Sequence, residues 1–357
     1  MPKLSTKELI PGMITAEDVF SFNNQLILPK DMVLNDKAIT KLEFYSISSV
    51  NIKESSLNPD TPETLPTPSY SERIRSSEEY RRFKKKYEEE IEEFKGSVND
   101  IITRNVMDTD ALLEEPSRLM AENSSGIHIF DMLHNMRMYD DPTYAHCLNV
   151  ALICNVFGSW IKMNEEDIKT LTLCGLLHDI GKLMIPERII TKPAKLTTEE
   201  YDIIKTHSLE GYNAIKELDI DDHIKNAALM HHERCDGSGY PFGLKTNRID
   251  RFARIVSIAD VYDAMTSARV YRGPLCPFQV ISIFESEGLQ KYDPEYILIF
   301  LGYIVNTYMH NRVRLSNGME GDIVLINKMD LSKPMVQCGN HYVDLSHEHG
   351  LYVEAII

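Results

Sequence analysis

The alternation of apolar and polar positions changes character along the chain. ITAEDVFSFNNQLILPKDMVL alternates with a period of two around Asn23-Asn24, which predicts a β-hairpin. NDKAITKLEFYSI then reads as a short helix capped by Asn35, with Val50 to Ile52 as a returning strand. SSLNPDTPETLPTPSYS is too rich in Pro, Ser and Thr for a regular element and predicts a linker. In SEEYRRFKKKYEEEIEEFKGSVNDIITRNV apolar residues recur at helical spacing within dense mixed charge, the pattern of a solvated helix face. From about Ala121 to Met309 helix follows helix, with few β-branched runs. RVRLSNGMEGDIVLINK, PMVQCGNHYVDL and LYVEAII are short strands joined by Asn-Gly and Gly-Asn turns. The expected fold is mainly α, with small β-rich modules at both ends. Residues 1–55 form the first module, 56–72 a linker, 73–120 a charged helical connector, 121–310 the helical domain and 311–357 a β-rich extension.

Several of the predicted helices carry a histidine or an acid on the face their apolar residues share. In DDPTYAHCLNVALICNVF, Asp141 reads as an N-cap and Pro142 as the first helical residue. His146 then shares a stripe with Val150, Ile153 and Phe157, although a core histidine bonded to a carbonyl would explain it equally. LTLCGLLHDIGKLMIP ends an apolar helix with His178 and Asp179, places Gly181 at the expected stop and adds Lys182 nearby. A buried His-Asp pair is costly unless its charge is compensated, and a cation achieves that. Thr197 and Glu200 predict a capping box, after which Ile204, His207, Gly211 and Ile215 line one face. A histidine and a glycine on one apolar face predict close approach by another element, though packing alone could account for them. IKNAALMHHE turns Ile224, Ala227, Ala228 and His231 inward, with His232 about 100° further round. Adjacent imidazoles of that kind suit two ions lying side by side. FARIVSIADVYDAMTSARVYR places Asp260 inside an apolar helix, where a lone carboxylate is costly. A helix-to-helix hydrogen bond would explain it equally, and Asp263 fits such a bond too.

Composition narrows the chemistry. The chain has 357 residues, 43% hydrophobic and 26% charged, which is ordinary for a globular protein of two or three domains. Six cysteines without a CxxC pair predict reduced thiols. MPKLSTKELIPGM lacks the layout of a signal peptide and no apolar run approaches a membrane span, so a cytoplasmic protein is expected. A net charge of −16 argues against binding a nucleic-acid polymer, yet metals and a few arginines can attract a small anion. His341, His347 and His349 lie in predicted surface turns without a Cys or acidic partner on an inner face, and are read as exposed. Five histidines and two aspartates on inward faces suit two or more divalent transition metals, with Fe, Mn or Zn fitting imidazole and carboxylate. Two metals about 3.5–4 Å apart activate water and clamp an in-line displacement at phosphorus.

HDIGK followed by HHERCDGSGYP, with KPAKLTTEE and IADVYDAMTSARVYR at their spacings, resembles the HD-GYP family, a branch of the HD phosphohydrolases acting on cyclic di-GMP. The resemblance runs from about Asp141 to Asp293, and the N-terminal segment resembles the small domain that often precedes HD-GYP domains. It implies an HD-type helical bundle over 121–310 and metal ligands at His146, His178, Asp179, His207, His231, His232 and Asp260. Asp179 would bridge the metals and Lys182 would hold a phosphate oxygen, the two residues acting in catalysis. Tyr240, Arg269 and Arg272 would hold guanine or phosphate, arginine through its planar fork. The implied reaction is hydrolysis of cyclic di-GMP by a two-metal-activated hydroxide, giving linear pGpG, with GMP left open as a further product. Fe or Mn is favoured, with Zn, Ni or Co as alternatives, and a homodimer is an open arrangement. Some family members hold a third metal through a glutamate where this chain has Pro142, so two metals are expected here. Two alternatives stand beside this reading: a cyclic-dinucleotide receptor with little catalysis, and a hydrolase of cyclic GMP-AMP.

Overall fold

The computed structural model describes residues 3–6, 9–10, 12–20, 26–34, 38–39, 42, 47, 49–53, 70–121, 126–136, 142–192, 194–267 and 275–357. The chain divides into two compact units, one within Met1–Thr67 and one over Pro68–Ser267 and Pro274–Ile357. In the first, β1 (Lys3–Ser5) pairs antiparallel with β4 (Ser49–Asn51), and β2 (Val19–Phe20) with β3 (Leu26–Leu28). Leu9, Val19, Ile27, Leu28, Leu34, Leu42, Val50 and Ile52 close a core of its own. The expected hairpin strands therefore pair. The turn at Asn23-Asn24, the cap at Asn35 and nearly all of the linker lie outside the described residues.

The second unit begins with α1 (Tyr70–Ser76), α2 (Glu78–Arg104), α3 (Thr109–Ala121) and α4 (Gly126–Asn135). Mixed charge along α2 predicted a solvated face, but its other face is fully committed. Tyr80, Phe83, Tyr87, Ile91, Phe94, Val98 and Ile101, three or four residues apart, enter the same core as the helices that follow. Each such side chain contributes about 1.5–3 kcal/mol, whereas an exposed i,i+4 pair such as Lys84–Glu88 contributes about 0.3–0.5 kcal/mol. Burial, not charge pairing, fixes this helix to the bundle.

The central layer is α5 (Pro142–Trp160) against α6 (Glu165–Leu177), followed by a 3₁₀ turn over Ile180–Met184 and α7 (Glu187–Ile190). A Cβ at Gly175 would lie 2.9 Å from the Ala151 Cα, so only glycine lets α6 cross α5 this closely. Next come α8 (Thr198–Lys205), α9 (His207–Ile215), α10 (Asp222–Met230) and α11 (Arg251–Thr266). The Thr197–Glu200 capping box is present, but the single helix expected there breaks at Thr206, just before His207. After α12 (Pro277–Ile283), a π turn over Phe284–Gly288 and the short α13 (Leu289–Lys291), α14 (Pro294–Thr307) completes the helices.

The chain ends in an antiparallel sheet of β5 (Arg312–Leu315), β6 (Glu320–Leu325), β7 (Met335–Cys338), β8 (His341–Asp344) and β9 (Val353–Ile356), in the order β8-β7-β6-β5-β9. Gly318 and Gly339 take φ of +87° and +60° in its two tight turns, where a side chain would be strained. Val313, Leu315, Ile323, Val336 and Val353 belong to the same core as the helices. His341, His347 and His349 are exposed, and all six cysteines are free thiols. Among the described residues no helix is long and apolar enough to cross a membrane.

Candidate metal centre

His146 projects from the second turn of α5, His178 and Asp179 follow the end of α6, and His207 opens α9. His231 and His232 follow the last turn of α10, while Asp260 lies within α11. Local glycines set these approaches. A Cβ on Gly181 would lie 2.0 Å from the His207 carbonyl oxygen and 2.4 Å from the Gly211 nitrogen, so the 3₁₀ turn rests directly on α9. Gly181 thus serves this contact rather than a helix stop, and Gly211 is the close approach that its position beside His207 predicted. All seven side chains are brought together, and His178, His207 and His231 have no exposed surface.

Backbone carbonyls orient the rings. The Nδ1 of His178 donates to Gly175 O at 2.7 Å, and that of His207 to Ile204 O at 2.7 Å. His231 Nδ1 faces Ala227 O at 3.0 Å and Ala228 O at 3.1 Å. A ring whose Nδ1 proton is committed in this way presents a lone pair at Nε2. Those lone pairs converge: His207 and His231 bring their Nε2 atoms to 3.2 Å, and His207 Nε2 is 3.2 Å from Asp179 Oδ1. His178 Nε2 lies 3.4 Å from Asp179 Oδ2. Acceptors facing acceptors repel unless a cation lies among them. Among the described residues, His178 Nε2 and Asp179 Oδ1 are buried without a hydrogen-bond partner, an expensive state for native polar atoms. The donor set fits divalent transition metal.

The ligand atoms fall into two groups, Asp179 with His207, His231 and His232, and His146 with His178 and Asp179, each within 4.8 Å. Asp179 is common to both. Asp260 adjoins the second group through Oδ1, 3.0 Å from His146 Nε2 and 3.9 Å from His178 Nε2. Its Oδ2 is 3.9 Å from His232 Nδ1.

Charge is distributed to match. Burial alone would raise the Asp179 pKa, but Lys182 and His178 outweigh it and hold the carboxyl well below its usual range. Asp260 is likewise held down, burial being outweighed by the His146 bond and by His232. Burial lowers His231 to about 4, so its ring is neutral at pH 7. His146 goes the other way: burial pushes it down, yet bonds to Asp260 and Asp263 lift it to about 9. Without metal, this imidazole keeps a proton where a cation would otherwise sit.

Lys182 pairs its ammonium with Asp179 Oδ2 at the edge of the cluster. Tyr240 stacks on His232 with centroids 4.6 Å apart and planes 29° apart. Burial raises its phenol above the ordinary value, so the hydroxyl remains a neutral donor. Arg269 and Arg272 lie outside the described residues, as do Asp140 and Asp141. Sequence reasoning assigned no role to Glu233. Its carboxylate is buried and accepts Phe242 N and Leu244 N, both at 2.8 Å, pinning the chain beyond the GYP turn. Gly239 allows the same fold-back, since a Cβ there would lie 2.4 Å from Arg234 N. Asp263 does form a helix-to-helix bond, from α11 to His146 Nδ1 on α5 at 2.6 Å.

The HD domain family model matches residues 110–296, just over half of the chain. A 3′3′-cGAMP-specific phosphodiesterase of Vibrio cholerae is 42% identical over 145 residues, 41% of this chain and 34% of that protein. A cyclic di-GMP phosphodiesterase of Pseudomonas aeruginosa is 31% identical over 206 residues, 57% of this chain and 50% of that protein. A cyclic di-GMP phosphodiesterase of Thermotoga maritima is 37% identical over 180 residues, 49% of this chain and 48% of that protein. The chain spans a third to a half of the length of these curated relatives. With the HDIGK and GYP motifs meeting at one histidine cluster, the chain is a member of the HD domain family, of the HD-GYP type.

Proposed function

We propose that the chain is a metal-dependent phosphodiesterase that opens cyclic di-GMP. The observation that carries this reading is the convergence of buried Nε2 lone pairs and carboxylate oxygens around Asp179. One cation would be held by His146, His178, Asp179 and Asp260, the other by Asp179, His207, His231 and His232. Bound there, the pair supplies an activated water and neutralises charge developing at phosphorus.

The chain's own residues do the rest. Asp179 reaches both positions and keeps the groups in register. Carbonyl bonds at Nδ1 keep His178, His207 and His231 in one tautomer, so their basic nitrogens need no reorganisation. Lys182, at the edge of the cluster beside Asp179, would hold a phosphate oxygen. Tyr240, half-buried against His232, offers a flat face and a hydroxyl to a base or phosphate, with Glu233 holding the following residues in place. Arg269 and Arg272 are assigned to phosphate or guanine from the ARVYR motif. The division into accessory segment, connector, catalytic domain and β-rich extension is part of this proposal.

A second reading substitutes cyclic GMP-AMP for cyclic di-GMP, supported by the 42% identical relative named for that specificity. Chain purified with Fe or Mn under anaerobic conditions and incubated with each dinucleotide decides between them by product chromatography. Turnover of cyclic di-GMP to pGpG or GMP is expected, and loss of it in His178→Ala and Asp179→Ala. Tight binding without hydrolysis would select a receptor, and inertness of a metal-loaded, folded sample towards both would end the enzyme reading.

A further inference from the structure

Helix α2 reaches the cluster through a hydrogen-bonded line that none of the metal ligands begins. Tyr87 has no exposed surface, and its hydroxyl lies 2.5 Å from Asn149 Oδ1 and 2.9 Å from Ala145 O. Both acceptors are on α5, and Ala145 immediately precedes His146. Asn149 Nδ2 donates to Asp263 Oδ1 at 2.9 Å, and Asp263 Oδ2 takes His146 Nδ1 at 2.6 Å. Asn149 and Asp263 are both buried.

The line has only one polarity. A carboxylate accepts and never donates, so Asn149 must turn its amide nitrogen, not its oxygen, towards Asp263. Its oxygen then faces Tyr87, whose single hydroxyl proton serves it at 2.5 Å in preference to Ala145 O at 2.9 Å. The same carboxylate requires the Nδ1 proton of His146 and leaves Nε2, 3.0 Å from Asp260 and 3.6 Å from Asp179, as the metal-facing atom. Tyr87→Phe would keep the ring in the same space and strand a buried amide oxygen, an unfavourable state.

We propose that Tyr87 is a positioning residue for the His146 side of the metal pair. It sets the rotamer of Asn149, through it the Asp263 carboxylate, and through that the tautomer and placement of His146. The proposal rests on the metal-centre reading above. It gives the charged helix a hydrogen-bonded route to the His146 side of the pair.

The test titrates Mn²⁺ into the metal-free full chain, following free Mn²⁺ by electron paramagnetic resonance, for wild type, Tyr87→Phe, Asn149→Leu and the double variant. Melting of each metal-free variant reports packing separately. Tyr87→Phe should weaken one of two binding steps by about tenfold, the low end for partners behind a metal ligand, and leave the other unchanged. Adding Tyr87→Phe to Asn149→Leu should weaken it no further, because the line is already cut. Unchanged Mn²⁺ affinity in Tyr87→Phe, or equal weakening of both steps, overturns the proposal while leaving the metal centre standing. Should Tyr87→Phe fail to fold, unaltered affinity in Asn149→Leu overturns it too. A wild-type chain that takes up no Mn²⁺ overturns this proposal and the metal centre together.

Discussion

Replacement of Gly181 by alanine offers the sharpest structural test, because the added atom has nowhere to go. Its Cβ would lie 2.0 Å from His207 O, 2.4 Å from Gly211 N and 2.9 Å from Gly211 Cα, all of them backbone. Favourable separations start near about 3.5 Å, so the turn and α9 must part by roughly 1.5 Å. Overpacking of this kind costs about 1–3 kcal/mol. At about 2–4 °C per kcal/mol for a domain of this size, the melting temperature should fall by roughly 2–12 °C. The same displacement separates Asp179, two residues before Gly181, from His207, and exceeds the ~0.2 Å tolerance of metal–ligand distances several-fold. Gly211→Ala is the control. Its Cβ meets Gly181 N at 3.1 Å, a tight contact but not an impossible one, and the gain of about 1 kcal/mol in helix propensity offsets the strain. Circular-dichroism melts in chelator and Mn²⁺ titrations compare the variants. Gly181→Ala with wild-type melting and wild-type affinity would refute the reasoning, since the added atom fits only if the turn and α9 separate.

Three further outcomes are expected. Glu233→Gln weakens two charge-assisted bonds worth about 1.5–3 kcal/mol each, so the Phe242 and Leu244 amides should exchange with deuterium faster while the Gly175 to Leu177 amides stay protected. In chelator the chain should lose stability between pH 6.5 and about 9, because the raised pKa of His146 stabilises the fold only while that ring is protonated. Melts across that range should show the slope in wild type and a shallower one in His146→Gln, and saturating metal should remove it. Tyr87→Ala opens a cavity at a fully buried aromatic and should lower stability by about 3–5 kcal/mol in urea melts, whereas substitution of the exposed Lys85 should change it by less than about 0.5 kcal/mol.

What could be read in the sequence were features with a local cause. Histidines on apolar faces, the Thr197–Glu200 capping box and the glycine turns of the terminal sheet each depend on neighbours a few positions away. What could not be read depends on distant partners. The buried face of α2 competes with its charges only once α5 is there to cover it. Asn149 looks like any helical asparagine until Tyr87, 62 positions earlier, and Asp263, 114 positions later, flank it. The break at Thr206 is invisible to periodicity, because α8 and α9 keep nearly the same apolar register across it. Glu233 could have been suspected: an acid between a histidine pair and a glycine-rich turn is well placed to cap free amides, as asparagine and aspartate do in tighter turns.

The central claim is that seven side chains from five segments of one bundle hold a pair of divalent cations through a shared Asp179. The most direct measurement is metal stoichiometry by plasma emission on chain reconstituted anaerobically with Mn²⁺ or Fe²⁺ and desalted. Two ions per chain in wild type and loss of both in Asp179→Ala are predicted. One ion per chain, none, or an unchanged content in Asp179→Ala would contradict it.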